Sequence, residues 1–272
     1  MSNVHFDFSG RHVAVFGGTT GINLGIAQAF AAAGARVSVA SRRQENVDAA
    51  VATLGERAFG MVADVRDDAA VDAALAAAAE RHGPIDVLVS GAAGNFLAEV
   101  NGMSSNAFKV VVDIDLMGSF HVARRAWEHL RKPGASVLFI SAPQAVVPMA
   151  WQAHVGAAKA GVDQLARVLA LEWGPAGVRV NVISPGPIAG TEGMRRLAPQ
   201  GEEGDALVRA MVPLRRMGTP QDIAHLAMFL GSDAASYLSG AVIACDGGAQ
   251  NMLTPMIDAA VRQLRQDGAQ PR

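Results

Sequence analysis

Short apolar runs alternate with helix-length stretches along almost the whole chain, and this alternation leaves few folds open. His12–Phe16, Arg36–Ala40, Ala58–Ala63, Val87–Ser90, Ser136–Ile140, Arg179–Ile183 and Ala241–Ala244 read as seven short buried strands. Helical patterns lie between them near 22–33, 44–54, 68–82, 104–131, 152–173 and 220–231. Gly34, Gly83-Pro84, Pro133-Gly134, Gly174-Pro175 and Gly177 stand where the patterns stop. Strand–helix alternation of this kind predicts an α/β fold, a parallel sheet with helices on both faces. With no internal repeat and no linker-like tract, residues 1–272 read as one domain. Residues 187–213 break the alternation and read as an insertion after the sixth strand, and a polar-ended tail runs from about 253.

Half of the 272 residues are hydrophobic, enough to fill one large core. A formal net charge of -2 with no basic block argues against nucleic acid or another polyanion as partner. The single cysteine, Cys245, excludes an internal disulfide and a cysteine-built metal cluster; it reads as a buried structural thiol, and no metal site is expected. No uncharged apolar run reaches the ~18 residues of a membrane span, and the first ten residues lack a secretory pattern. The final QPR matches no peroxisomal address, so the expected compartment is the cytoplasm.

After the first strand comes Gly17-Gly18-Thr19-Thr20-Gly21-Ile22-Asn23-Leu24-Gly25, leading directly into a helix. Glycines here permit a tight turn and a close backbone approach to a pyrophosphate, which then rests on the helix N-terminus. That context predicts a Rossmann-type, doubly wound dinucleotide-binding sheet, with Gly17, Thr19, Thr20, Gly21 and Ile22 at the cofactor. Asn23 stands where the usual pattern has a third glycine, which predicts a helix starting slightly further from the sheet. The second strand ends in Ser41-Arg42-Arg43, where NAD-preferring sites usually place a carboxylate. A hydroxyl and a guanidinium suit a ribose 2′-phosphate instead, so NADP(H) is the expected cofactor. The alternative is that the arginines are simply a solvated helix start.

Further motifs resemble the short-chain dehydrogenases/reductases over residues 9–250: Asp64-Val65, Ser90-Gly91-Ala92-Ala93-Gly94, Ser184-Pro185-Gly186-Pro187-Ile188 and Asp246-Gly247-Gly248. The resemblance implies a seven-stranded sheet and a cofactor held also by Asp64, Val65, Ala92, Gly94, Pro185, Gly186 and Ile188. It further implies a homo-oligomer, dimer or tetramer, built on the 104–131 and 152–173 helices. The catalytic pattern departs from most of that family. Lys159 is in place, but the tyrosine four residues before it is Val155. The usual serine is Ala142, with Ser141 beside it, and the usual asparagine is Asp115. Tyr237, the chain's one tyrosine, has no assignable role.

Those departures, with Ala92-Ala93-Gly94-Asn95-Phe96, Asp113-Ile114-Asp115, Glu172-Trp173-Gly174-Pro175 and Pro187-Ile188-Ala189-Gly190-Thr191-Glu192-Gly193, resemble the 2,4-dienoyl-CoA reductases, the tyrosine-less peroxisomal branch above all. The resemblance implies NADPH-dependent reduction of an acyl-CoA with Lys159 and Asp115 as catalytic residues. A conjugated dienoyl thioester tolerates the missing tyrosine, because the anion formed on reduction spreads to the thioester oxygen and needs hydrogen-bond donors rather than a coupled oxygen acid. Whether Asp115 or a water gives the proton stays open. Phe96 and Met149, with Trp151, Met194 and Met217, are candidates for an acyl channel or for plain core. Arg195 and Arg196 are candidates for CoA phosphates or for a solvated charge pair. His154, five residues before Lys159, reads as a satisfied structural histidine well round the helix from the catalytic face. Two other functions compete: a carbonyl or 3-oxoacyl reductase, and a non-catalytic NADP-binding sensor or partner protein.

Overall fold

The computed structural model describes residues 4–197 and 201–252; the tail expected from about 253 lies outside them. Seven strands form one parallel sheet: β1 (His12–Phe16), β2 (Arg36–Ser41), β3 (Ala58–Val62), β4 (Val87–Ser90), β5 (Ser136–Ile140), β6 (Arg179–Pro185) and β7 (Val242–Cys245). Their order is β3-β2-β1-β4-β5-β6-β7, so the winding direction reverses between β1 and β4. Strand side chains alternate between faces, and along β1 Ala14 and Phe16 enter one core while Val13 and Val15 enter the other. α3 (Asp68–His82), α5 (Gly118–Ala126) and α6 (Ala153–Trp173) cover the first face. α1 (Gly21–Ala32), α2 (Gln44–Leu54) and α9 (Pro220–Gly231) cover the second. This is the doubly wound, Rossmann-type arrangement the alternation predicts, and the reversal opens a crevice at the carboxyl ends of β1 and β4.

The long helix expected over 104–131 is interrupted. α4 (Ser105–Val112) passes into a π-helical turn, Asp113–Met117, before α5, and a 3-10 turn, Trp127–His129, follows. Such turns carry an extra residue and commonly mark functional sites. Here the widened turn points Asp115 inward, fully buried. Gly118 then lets α5 approach the turn after β3, since a Cβ there would stand 2.5 Å from Val65 Cγ2. The 187–213 stretch, expected as an insertion, carries α7 (Glu192–Leu197) and α8 (Gly201–Ala210). Cys245, expected to be buried, is only half-buried at the end of β7; burial still raises its thiol pKa, and Sγ faces the Asp222 carbonyl. Among the described residues no helix is long and apolar enough to cross a membrane.

One buried histidine ties the sheet together and makes its stability depend on pH. His12 is fully buried; Nδ1 lies 2.8 Å from the Gly83 carbonyl and Nε2 2.9 Å from Ser38 Oγ. A carbonyl only accepts, so Nδ1 carries the proton and Nε2 accepts from the serine, which satisfies the neutral ring. Burial lowers its pKa from 6.5 to about 4, and His82, packed edge-on against it, is lowered by burial too. Between those pH values the unfolded chain binds more protons than the native one. His12's contribution is therefore complete above pH 6.5 and is lost as the pH falls toward 4. We expect about 2 kcal/mol of stability to disappear between pH 7 and pH 5. Denaturant unfolding at the two pH values measures it, and His12→Gln should flatten the dependence; an unchanged slope would contradict this account.

Candidate active site

The crevice is floored by the turn after β1. Gly17 sits at φ 76, where a Cβ would stand 2.8 Å from the Ala92 backbone nitrogen. At Gly18 a Cβ would meet the Val15 carbonyl oxygen at 2.8 Å. A side chain at either position would fill the space or push the β4 loop away. Gly21, at φ 56, opens α1. Three helices close their amino ends with side chains: Asp67 caps α3, Ser104 caps α4, and Thr219 with Asp222 forms a capping box on α9. α1, like α2 and α6, has no such cap. Thr20 makes no side-chain cap and the first turn holds no acidic residue, so its leading N–H groups face the crevice unneutralised. A glycine-walled turn beneath an uncapped helix end fits a dinucleotide pyrophosphate. Thr19 is buried in this turn and Ile22 half-buried.

Asn23 does not hold the helix off; it bridges to the next loop. It is buried, and its Nδ2 donates to the Gly91 carbonyl at 2.8 Å. A Cβ at Gly91 would collide with that amide at 2.4 Å, so the bulk absent at 91 makes room for the bulk present at 23.

The remaining expected cofactor residues gather around the same crevice. Ser41 ends β2, and exposed Arg42 makes no hydrogen bond or ion pair among the described residues, whereas Arg43 is paired with Glu45 at 3.2 Å. Asp64 binds Arg66 at 2.5 Å, which lowers its carboxyl pKa, and the neighbouring Val65 is buried. Ala92 and Gly94 follow β4, and Pro185 ends β6. Gly186 passes so close to β7 that a Cβ would stand 2.5 Å from the Asp246 Cα. Ile188 is buried, its carbonyl accepting from Thr191 Oγ1 at 2.8 Å.

On the opposite wall, α6 and the π turn bring Lys159 and Asp115 together. Lys159 Nζ lies 3.2 Å from Asp115 Oδ2 and donates to the Ile140 carbonyl at 2.9 Å. Asp115 Oδ1 accepts the Gly94 N–H at 2.7 Å, so one carboxylate positions both the lysine and the β4 loop. Both side chains are buried, 6% and 0% exposed. Val155, one turn before Lys159, is 2% exposed and offers no proton, and Ala142 offers none either. Tyr237 is fully exposed and cannot replace the missing phenol.

Two residues join this site against expectation or without having been singled out. Asp163, one turn after Lys159, is buried beside Ser141; burial raises its carboxyl pKa, and Ser141, Arg167 and Lys159 oppose the shift. Its i+4 spacing from Lys159 is the signal that could have found it. His154 corrects the sequence expectation. It is fully buried, its ring stacks on Phe96 at 4.3 Å between centroids, and it lies near enough to Asp115 to feel that charge. Neither ring nitrogen makes a well-aligned hydrogen bond; the Phe96 carbonyl lies beside the ring but already accepts from Gln152 Nε2. Asn95 Oδ1 and Gln144 Oε1 are further buried oxygens without hydrogen bonds. Native interiors seldom leave polar atoms so.

The outer residues are less engaged. Met149 and Trp151 are exposed, Met194 and Met217 half-buried. Arg195 and Arg196 both pair with Glu192, at 2.5 and 2.7 Å, and Arg196 also reaches the Asn95 carbonyl. Their charge is thus partly compensated within α7.

A parallel sheet reversed at β1/β4, with an uncapped glycine turn at the reversal, defines a dinucleotide-binding α/β protein. Comparison with known proteins specifies it further. Residues 17–250 match the family model described as enoyl-(acyl carrier protein) reductase. The chain is 41% identical over 248 residues to the (3E)-enoyl-CoA-producing peroxisomal 2,4-dienoyl-CoA reductase of Saccharomyces cerevisiae, covering 89% of this chain and 84% of that one. It is 42% identical to the Rattus norvegicus peroxisomal 2,4-dienoyl-CoA reductase, covering 86% and 82%. Among solved structures, a short-chain dehydrogenase/reductase from Brucella melitensis superposes with a TM-score of 0.82 at 31% identity, covering 90% and 99%. A dehydrogenase/reductase from Sinorhizobium meliloti gives 0.83 at 29%, covering 89% and 96%. The chain belongs to the short-chain dehydrogenase/reductase family of oxidoreductases.

Proposed function

We propose that this protein reduces a conjugated 2,4-dienoyl thioester carried by coenzyme A, with NADPH as reductant. One observation carries the reading: a buried Lys159–Asp115 pair stands in a site whose usual acid positions hold Val155 and Ala142. That site lacks the oxygen acid a localised alkoxide requires, while an anion delocalised to a thioester oxygen needs only donors and a later proton on carbon. The relatives named as 2,4-dienoyl-CoA reductases support the same substrate class.

In this reading Gly17, Thr19, Thr20, Gly21 and Ile22 hold the pyrophosphate, and Ser41 with Arg42 holds the 2′-phosphate. Asp64 and Val65 hold the adenine; Ala92, Gly94, Pro185, Gly186 and Ile188 flank the nicotinamide. The bound cofactor supplies a hydride. Lys159 orients the nicotinamide ribose and adds positive charge, and Asp115 fixes Lys159 and the β4 loop while positioning a water or sharing a proton with it. Phe96 and Met149 border the acyl chain, and Arg195 and Arg196 are placed for CoA phosphates once released from Glu192. Exposed Phe108, Met117 and Phe120 around α4 and α5, with Val168 and Leu171 on α6, support assembly into a homo-oligomer, a dimer or tetramer. The cytoplasm remains the compartment expected from the sequence.

The test is NADPH oxidation with 2,4-hexadienoyl-CoA beside acetoacetyl-CoA. Turnover of the dienoyl thioester with little of the ketone is expected. Rapid ketone reduction alone would mean a carbonyl reductase, and tight NADPH binding with neither rate would mean a non-catalytic binding protein; either contradicts the proposal.

A further inference from the structure

Delocalising the anion toward the thioester oxygen requires a donor at that oxygen, and the usual candidates are engaged or missing. Val155 and Ala142 carry none. The Lys159 ammonium is divided between Asp115 and the Ile140 carbonyl. Ser141 Oγ closes no well-aligned hydrogen bond, but its hydroxyl faces the Asp163 carboxylate, which draws its proton. Gln144 Nε2 points at Gln152 Oε1, 3.4 Å away, and Gln152 Nε2 donates to the Phe96 carbonyl at 2.8 Å. His154 is the exception. It is 0% exposed, packed against Phe96 at a tilt of 38°, and neither of its nitrogens makes a well-aligned hydrogen bond, the Phe96 carbonyl beside it being taken by Gln152.

We infer that the neutral imidazole of His154 donates its N–H to the thioester oxygen of the bound acyl group and takes the developing negative charge there. The inference rests on the dienoyl thioester reading above. Several facts of the fold favour it. An imidazole always carries at least one N–H, and a buried one offered only a shared, poorly aligned acceptor costs free energy that an arriving oxygen recovers. Burial lowers the ring's pKa, which keeps it an uncharged donor, while the Phe96 carbonyl and Asp115 pull the other way. The ring shares its surroundings with Asp115 and Phe96, so an oxygen accepting from it stays near the Lys159–Asp115 pair. No proton need leave His154. The donor strengthens as charge accumulates on the oxygen, which is how such groups lower a barrier. His154 is then a catalytic residue that also selects for thioesters able to push charge onto their carbonyl.

The experiment compares wild type, His154→Phe and His154→Gln. NADPH binding, followed by nucleotide fluorescence, reports that each variant has folded around its cofactor and is expected to be unchanged. Removing one oxyanion donor costs about 10²- to 10³-fold in kcat. His154→Phe should lose that much with 2,4-hexadienoyl-CoA, and His154→Gln, which keeps an N–H, should regain part of it. The second readout is the ultraviolet band of the conjugated thioester bound to enzyme with NADP+. Polarisation of its carbonyl should shift the band to longer wavelength in wild type, less in His154→Gln and not in His154→Phe. A His154→Phe enzyme with near-normal kcat and an undiminished shift would overturn the inference while leaving the proposed reaction intact. A wild-type enzyme that neither binds nor reduces the dienoyl thioester would instead remove the underlying reading, and the inference with it.

Discussion

Lys159→Ala should lower turnover of 2,4-hexadienoyl-CoA by about 10²- to 10³-fold, the cost of deleting a preorganised charge from a water-poor site. The ammonium is held at two points, Asp115 Oδ2 at 3.2 Å and the Ile140 carbonyl at 2.9 Å, so its position is fixed before substrate arrives. Truncation also has a structural consequence. Asp115 is left fully buried with the Gly94 N–H as its remaining hydrogen-bond partner, and an uncompensated buried charge costs about 3–5 kcal/mol. Activity and stability therefore fall together in the single variant, and the double variant Lys159→Ala/Asp115→Asn separates them. With the orphan charge removed, the thermal midpoint should recover toward wild type while the rate stays low. A folded Lys159→Ala enzyme working at close to the wild-type rate would take the lysine out of the mechanism.

The second large effect concerns cofactor choice. Arg42→Asp should weaken NADPH relative to NADH by about 100-fold in KM. A charge-assisted hydrogen bond is worth about 1.5–3 kcal/mol, and a carboxylate in its place repels the 2′-phosphate. The adjacent arginine supplies the control. Arg43 is engaged by Glu45, whereas Arg42 makes no ion pair or hydrogen bond among the described residues. Arg43→Ala should consequently change the NADPH KM little. Equal losses for the two variants, or none for Arg42→Asp, would place the 2′-phosphate elsewhere.

Much of this architecture is written in short-range pattern. Buried parallel strands demand continuous apolar runs, and all seven runs became strands with ends within about two residues. α2, α3 and α9 begin and end at the bounds their helical patterns predict. Long-range geometry was harder to see. Nothing in Asp113-Ile114-Asp115 announces a π turn, because its 3.6-residue pattern continues on either side; the close fit of Gly118 against Val65 involves residues far apart in sequence.

His154 was misplaced for a related reason. Its angle around α6 from Lys159 was read correctly as large, but the β4 loop folds back so that Phe96 meets it there. Helical position locates a side chain relative to its own helix and says nothing of which loop arrives from outside. Lys159 and Asp115, by contrast, were visible as a pair through resemblance, and the structure places them in contact. Asp163 was accessible by spacing alone. Arg195 and Arg196 turned out to share Glu192, as helix neighbours at i+3 and i+4 readily do.

The central claim is that the anion formed on reduction spreads over the acyl chain and is protonated on carbon, which is why this site functions without a tyrosine. Reduction of 2,4-hexadienoyl-CoA by unlabelled NADPH in D2O, with NMR of the product, tests it most directly. The expected product carries one carbon-bound deuterium within the former diene, at carbon 2 for a 3-enoyl thioester, and no hydroxyl group. A hydroxylated product, or a reduced chain with no carbon-bound deuterium, would contradict it.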